Sequence, residues 1–308
     1  MSKEVRRAAE ILGRGGLVAF PTETVYGLGA HASSAKAMAR LYKVKARPAD
    51  HPVIVHFASA AEAFKWASEV PKEAKILAER FWPGPLTLIL KRSPLAKDFV
   101  TGGQPSVGVR VPSHPIARQL LKEFGKPIAA PSANRFGRVS PTTAAHVEED
   151  LGSDVDLVLE GGPSEVGIES TIVDLSSGAP VVLRPGKISQ ADLKEVIEIG
   201  STPSAVRHSG GMEKHYAPKT PARLVPTHEL DKEISKLKAR AAVLAFTRPD
   251  ERVDFWLRMP RDPAAYAQKL YAALRELDGA HCDAILIEAP PAESGWEAVL
   301  DRLRKATA

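Results

Sequence analysis

The sequence predicts an α/β protein built as two blocks of unequal size, and three observations carry that reading. Short apolar runs of strand length, such as Leu17-Val-Ala-Phe20, Leu86-Thr-Leu-Ile-Leu90 and Ala284-Ile-Leu-Ile-Glu288, alternate with stretches of helical apolar spacing. Several of these runs empty into hydroxyls, amides and glycines, where open α/β sheets bind their ligands. Between Gly200 and Pro221 the texture changes to Ser, Pro, Gly, His and Lys without periodicity, and then the alternation resumes. The expected division is a large block over 1–200, a linker over 201–221 and a smaller α/β domain of parallel type over 222–308.

Each element has its local reason. Val5, Ala8, Ala9 and Leu12 fall at helical spacing over 3–13, and Gly13, Gly15 and Gly16 end that helix. The strand 17–20 runs into Pro21-Thr-Glu-Thr24, then Val25-Tyr26, Gly27 and Gly29, which suits close approach of backbone to something small. A plain Thr-rich turn reads the same way. Within it Glu23 could do chemistry or could orient the loop through backbone amides. Ser33 or Ser34 caps a second helix with Met38, Leu41 and Tyr42 on one face, expected to run until Pro48. Lys43, Lys45 and Arg47 project alike only where that segment becomes extended. The β-rich run 52–57 contains His56, by itself a core histidine.

Helices are expected over 60–67 and 71–81, the second opened by Pro71, followed by the strand 86–90. Val107, Val109 and Val111 alternate with Arg110, which puts the cation opposite the valine face. A helix over 115–124 leads to Pro127-Ile-Ala-Ala-Pro-Ser-Ala-Asn134, a short strand delivering a hydroxyl and an amide. A helix over 143–150, a strand over 155–159, a glycine-rich turn over 161–167, a strand opened by Glu169-Ser-Thr171, a strand over 181–186 and a helix over 190–198 complete the block. Beyond the linker come strands at 223–225, 241–246 and 284–288, with helices at 229–239, 263–277 and 295–305.

Composition narrows the chemistry. The chain has 308 residues, 44% hydrophobic and 26% charged, the balance of an ordinary globular protein. A net charge of +5 suits an anionic ligand or RNA. The one cysteine, Cys282, rules out an intramolecular disulfide and argues against a Cys-built metal site. No apolar run predicts a membrane span and no secretory h-region opens the chain, so a cytoplasmic location with no membrane partner is expected. P-loop, dinucleotide, H-E-x-x-H, C-x-x-C and G-x-S-x-G patterns are all missing, and no protein-built metal site is expected. A phosphate-handling site must therefore draw on Lys45, Arg47, Arg110, Arg184, Thr24, Ser132, Asn134 and Ser140.

Six blocks in order, Gly16–Gly29, Lys45-Ala-Arg47-Pro, Phe81-Trp-Pro-Gly-Pro-Leu-Thr-Leu, Val109–Pro112, Ala130-Pro-Ser-Ala-Asn134 and Leu183-Arg-Pro-Gly186, resemble the YrdC-like threonylcarbamoyl-AMP synthases. His215-Tyr-Ala-Pro218 and the C-terminal unit resemble the long, two-domain form. The resemblance implies a twisted open mixed sheet with a concave basic cavity, and a Rossmann-like second domain. It also implies a reaction in which L-threonine, bicarbonate or CO2 and ATP give threonylcarbamoyl-adenylate and pyrophosphate. A tRNA threonylcarbamoyl-transferase complex would consume the product, and Mg²⁺ would accompany ATP.

By the same resemblance Lys45, Arg47, Ser132 and Asn134 form the catalytic K-x-R and S-x-N signature. Arg47, His51, Ser106, Ser132, Ser140, Arg184, His215 and Tyr216 line ATP, while Thr24, His56, Arg110, Ala130 and Ser170 hold threonine. His51 stands where relatives carry asparagine or histidine. Ser209-Gly-Gly-Met212 stands where relatives often carry Ser-Pro-Gly-Met. His215 and Tyr216 either close over the nucleotide or staple the two domains. Two other functions remain open from sequence: a tRNA or double-stranded-RNA binding module without adenylation activity, and a carbamoyl-phosphate-using relative of similar fold.

Overall fold

A computed structural model describes residues 2–201, 204–237 and 239–308. In chain order the first unit contains α1 (Lys3–Gly13), β1 (Val18–Phe20), β2 (Gly27–His31), α2 (Ala35–Lys45), β3 (Ile54–His56), α3 (Ala60–Phe64) and α4 (Lys72–Phe81). It continues with β4 (Leu86–Lys91), α5 (Asp98–Thr101), β5 (Ser106–Arg110), α6 (Pro115–Phe124), β6 (Ile128–Ala129), α7 (Ala144–Leu151) and β7 (Leu157–Val158). β8 (Thr171–Asp174), β9 (Val181–Arg184) and α8 (Gln190–Lys194) close it. The strands form one mixed nine-stranded sheet, ordered β7-β1-β2-β6-β3-β5-β4-β8-β9.

The helices arise where the sequence provides caps. Ser34 accepts from Ala37 N–H, Thr143 accepts from His146 N–H, and Pro115 sits in the first turn of α6. The sheet buries residues by alternation. Leu88, Val107, Val109 and Val173 enter one core cluster with Met38, Leu41 and Leu77. On the opposite face Val18, Phe20 and Ile128 pack with Leu12, Leu120 and Leu121 of α1 and α6. The strand residues of that second cluster come from β1, β6 and β7.

The second unit comprises β10 (Ala222–Val225), α9 (Leu230–Lys236), β11 (Ala241–Ala245), β12 (Phe255–Arg258), α10 (Pro263–Asp278), β13 (Ala284–Glu288) and α11 (Glu297–Ala306). Its four strands are ordered β10-β13-β11-β12, and every pairing is parallel.

Several expectations change. β2 was not foreseen, because Gly27-Leu-Gly-Ala-His lacks strand-forming residues, yet it pairs antiparallel with β1. Gly29 is needed there, since a Cβ would meet the Phe20 ring at 2.9 Å. α2 stops at Lys45 rather than at Pro48, because Ala46 takes a left-handed conformation (φ 53°) as its C-cap. Lys43, Lys45 and Arg47 therefore do not project alike. β6 is two residues long and α8 ends at Lys194, both shorter than expected, and α5 and β12 are additional. The expected linker 201–221 is divided: residues through Gly211 belong to the first unit and those from Met212 to the second, which also takes Gly137–Ser140 and Val166–Ile168. Thr202 and Pro203 of that stretch lie outside the described residues.

Candidate active site

The face of the middle strands opposite the core valines forms the floor of the site. Strand alternation puts Ser106 and Arg110 of β5 on the side opposite the core valines. β3 runs parallel to β5 with His56 registered on Arg110, so both side chains leave the same face. A cavity of about 20 Å³ lies over this floor, lined among others by Ile54, Thr87, Ser106, Gly108 and Ile172. Its roof is the segment Arg207–Ser209, which belongs to the same unit.

At the carboxyl ends of β3 and β5 a buried ion pair organises the loop that follows β1. Arg110 Nη2 donates to Glu23 Oε1 at 2.6 Å, Nη1 donates to Thr24 Oγ1 at 3.0 Å, and Nε donates to Gly84 O at 3.3 Å. The second carboxylate oxygen of Glu23 accepts from Ser113 N–H at 3.1 Å. Both side chains of the pair are 5% exposed. Burial alone would raise the Glu23 carboxyl, but the guanidinium charge and its hydrogen bond more than reverse that, so it stays below the ordinary carboxylate value. Of the two roles open for Glu23, orientation is what the contacts serve. Thr22 and Thr24 share a hydroxyl–hydroxyl contact of 2.8 Å, and Thr22 Oγ1 donates to Val25 O, tightening the same turn.

His56 lies beside this pair with its ring edge-on to Phe20 at 6.3 Å. Burial, aided by the Arg110 charge, pushes its pKa down to about 3, so the imidazole is neutral at physiological pH. Its buried Nδ1 makes no well-aligned hydrogen bond among the described residues, although the backbone of Ile54 and Ile128 lies against the ring. A neutral imidazole nitrogen buried without a well-aligned partner is costly unless a ligand supplies one.

On the far side of the floor Ser170 Oγ meets Thr87 Oγ1 at 2.8 Å. Arg184 wraps Ser170, donating from Nη2 to its Oγ at 3.1 Å and from Nε to its carbonyl at 3.0 Å. The remaining arm, Nη1, donates to Ser209 O at 2.9 Å. Ser209 Oγ in turn donates to Pro52 O at 3.1 Å, and Gln104 clamps the main chain of Arg207 through both its amide atoms.

The signature cations sit at the end of α2. Lys45 is buried, and its ammonium donates to Ser132 O and Asn134 O, each at 2.5 Å. Burial, with Arg47 and Arg135 adding to it and Asp150 opposing, holds this amine well below the ordinary lysine range. Past the left-handed Ala46, Arg47 turns onto its own loop, donating to His51 O at 3.3 Å and Pro52 O at 2.7 Å. The Phe136 ring lies against it, 5.1 Å from the guanidinium carbon and 5.2 Å from the His51 ring. Segment 130–134 is threaded between these groups: Ala130 N–H donates to Ile54 O, and Leu28 N–H and Ala133 N–H tie it to the β2 loop.

The structure thus gathers Thr24, His56, Arg110, Ala130, Ser170, Ser106 and Arg184 along the floor and its rim, with Lys45, Arg47, His51, Ser132 and Asn134 grouped on segments tied to that rim. Ser140, His215 and Tyr216 belong to the second unit. Sequence reasoning did not single out Thr87, Gln104, Phe136 or Arg207. Thr87 could have been found, because it is the one hydroxyl in the apolar run 86–90; the others carry no local signal.

Fold and site define an α/β protein whose sheet carries buried cations and hydroxyls on the face opposite its core valines. Residues 10–186 match the Sua5–YciO–YrdC family, described as telomere recombination, and residues 188–308 match a family described as threonylcarbamoyl-AMP synthase, C-terminal domain. A threonylcarbamoyl-AMP synthase of Pyrococcus abyssi is 40% identical, covering 99% of this chain and 94% of that protein. One from Bacillus subtilis is 38% identical, over 98% and 92%. The crystal structure of P. abyssi Sua5 complexed with L-threonine superposes with a TM-score of 0.92 at 38% identity, covering 99% of this chain and 94% of that one. The chain belongs to the two-domain threonylcarbamoyl-AMP synthase family, whose members are nucleotidyltransferase-type enzymes. The expected mixed sheet and parallel second domain agree with that membership. Among the described residues no helix is long and apolar enough to cross a membrane.

Proposed function

We propose that this chain makes L-threonylcarbamoyladenylate from L-threonine, bicarbonate or CO2, and ATP, releasing pyrophosphate, for the threonylcarbamoyladenosine modification of tRNA. The threonine amine adds CO2 to give a carbamate, whose oxygen attacks the α-phosphorus of ATP as pyrophosphate leaves. The observation that supports the reading best is the buried, neutral His56 registered beside Arg110, a polar corner for a small amino acid. Thr24 and Ala130, with Ser170 across the floor, are assigned to threonine as well. Lys45, Arg47, Ser132 and Asn134, with His51, Ser106 and Arg184, are assigned to ATP, and so are Ser140, His215 and Tyr216.

The chemistry needs no protein nucleophile, so positioning and charge neutralisation supply the rate. Charge-assisted hydrogen bonds are worth about 1.5–3 kcal/mol each, so loss of two donors slows turnover roughly a hundredfold or more. Mg²⁺ would arrive with ATP on the phosphate oxygens, where it would neutralise their charge. The product is a reactive mixed anhydride, so its consumer is a tRNA threonylcarbamoyl-transferase system, and the reaction belongs in the cytoplasm. The test is pyrophosphate release that requires threonine and bicarbonate together and is nearly abolished by Arg47→Ala. Equal release without threonine refutes the proposal.

A further inference from the structure

We propose that Thr87 is a positioning residue for threonine, holding the Ser170 hydroxyl as a donor to an oxygen of the substrate carboxylate. The inference rests on the assignment of Ser170 to threonine, and every group it uses belongs to the first unit.

Leu86, Leu88 and Leu90 of β4 enter the core, so alternation turns Thr87 onto the floor, where it lines the cavity with Ser106. A valine would fill the same volume in this apolar strand without burying a hydroxyl, which is costly unless the hydroxyl is bonded. Thr87 is fully buried, and its hydroxyl has one hydrogen-bond contact among the described residues, Ser170 Oγ at 2.8 Å. The sheet fixes that direction. β4 lies between β5 and β8. The Thr87 methyl faces β5, 3.6 Å from where a Cβ at Gly108 would stand, and β-branching leaves the hydroxyl toward β8, which Ser170 precedes.

One proton in this corner lacks an acceptor. Arg184 Nη2 donates to Ser170 Oγ at 3.1 Å, so the serine oxygen accepts there. The contact between the two hydroxyls uses only one of their protons, and the other has no acceptor among the described residues. Ser170 is the member assigned to the substrate, so the spare proton is its own, with Thr87 and Arg184 donating into its oxygen from behind. Ser170 is then a donor only. Its carbonyl and that of Ser209 already accept from Nε and Nη1 of Arg184. A guanidinium and a spare hydroxyl proton side by side suit a carboxylate oxygen, which brings no proton, over a hydroxyl, which does. The cavity beside Thr87, about 20 Å³, has room for one water-sized group.

The test measures L-threonine binding by calorimetry in the full chain, for the parent, Thr87→Val, Thr87→Ser, Ser170→Ala and the double variant Ser170→Ala/Thr87→Val. Thr87→Val keeps the volume and loses the hydroxyl, and should weaken threonine binding roughly fivefold. The KM for ATP in pyrophosphate release should stay within about twofold. Thr87→Ser restores the hydroxyl and should bind within about twofold of the parent. In the Ser170→Ala background Thr87→Val should add nothing, because its effect runs through the serine. Unchanged threonine binding in folded Thr87→Val overturns the proposal. So does a second loss of about fivefold in the Ser170→Ala background, the mark of an independent effect on packing. A parent that binds threonine yet releases no pyrophosphate in its presence defeats the functional reading alone. A parent that binds no threonine defeats both.

Discussion

Replacing Glu23 by Gln tests the ion pair that the threonine corner is built on. The substitution keeps shape and one acceptor but removes the charge facing Arg110, whose side chain is 5% exposed and whose Nη2 lies 2.6 Å from the carboxylate. Removing one partner of a buried pair leaves the other charge uncompensated, which costs about 3–5 kcal/mol. For a unit of this size each kcal/mol moves the melting point by about 2–4 °C, so Glu23→Gln should melt roughly 6–20 °C lower. The double variant Glu23→Gln/Arg110→Gln should recover part of that loss, since both charges are then gone. pH gives a second handle. The folded carboxyl titrates below its ordinary value of 4.5, so its stabilisation is complete above that value and is lost as pH falls through the folded one. Acid melts should show this loss in the parent and not in Glu23→Gln. The assay is calorimetry across pH, with threonine KM measured alongside. A Glu23→Gln melting point within 2 °C of the parent, with no recovery in the double variant, would refute the reasoning.

Other outcomes follow from the same geometry. His56 titrates at about 3 against an ordinary 6.5, so the unfolded chain binds the extra proton between those values, and stability should fall as pH drops from 6.5; His56→Gln should flatten that slope in acid melts. Lys45→Met leaves the carbonyls of Ser132 and Asn134 without their donor, and should cost about 2–4 kcal/mol in denaturant unfolding, with pyrophosphate release nearly lost. Ser170→Ala breaks contacts to Thr87 and Arg184, worth about 1 kcal/mol, and should raise threonine KM roughly fivefold in steady-state kinetics.

Much of the fold was legible because helices announce themselves locally. Ser34 marked a start that the structure keeps, the helices expected over 115–124 and 143–150 form, and the Val107–Val111 alternation placed Arg110 on the correct face. β2 was hidden because its glycines are there to clear the Phe20 ring, a contact made by another strand. β12 was hidden by a short, half-buried sequence whose pairing partner is β11. In the site, the cations and hydroxyls were visible as types, and a family resemblance sorted them. Their partners were not: Glu23 and Arg110 are 87 positions apart, and Gln104 and Arg207 are 103 apart. Such pairs exist only once the sheet has formed. The spacing of Lys43, Lys45 and Arg47 misled, because one left-handed residue redirects the chain between the last two.

That turn at Ala46 has an implication for how variation near it should be read. Because the helix halts between the two basic positions, one bolts the 132–134 segment and the other folds back onto its own loop as a buried grip. The alanine separating them is a steering joint. Glycine there would ease its left-handed geometry while loosening the aim of Arg47. A valine or isoleucine would resist the bend and drive the grip off target without touching either charge.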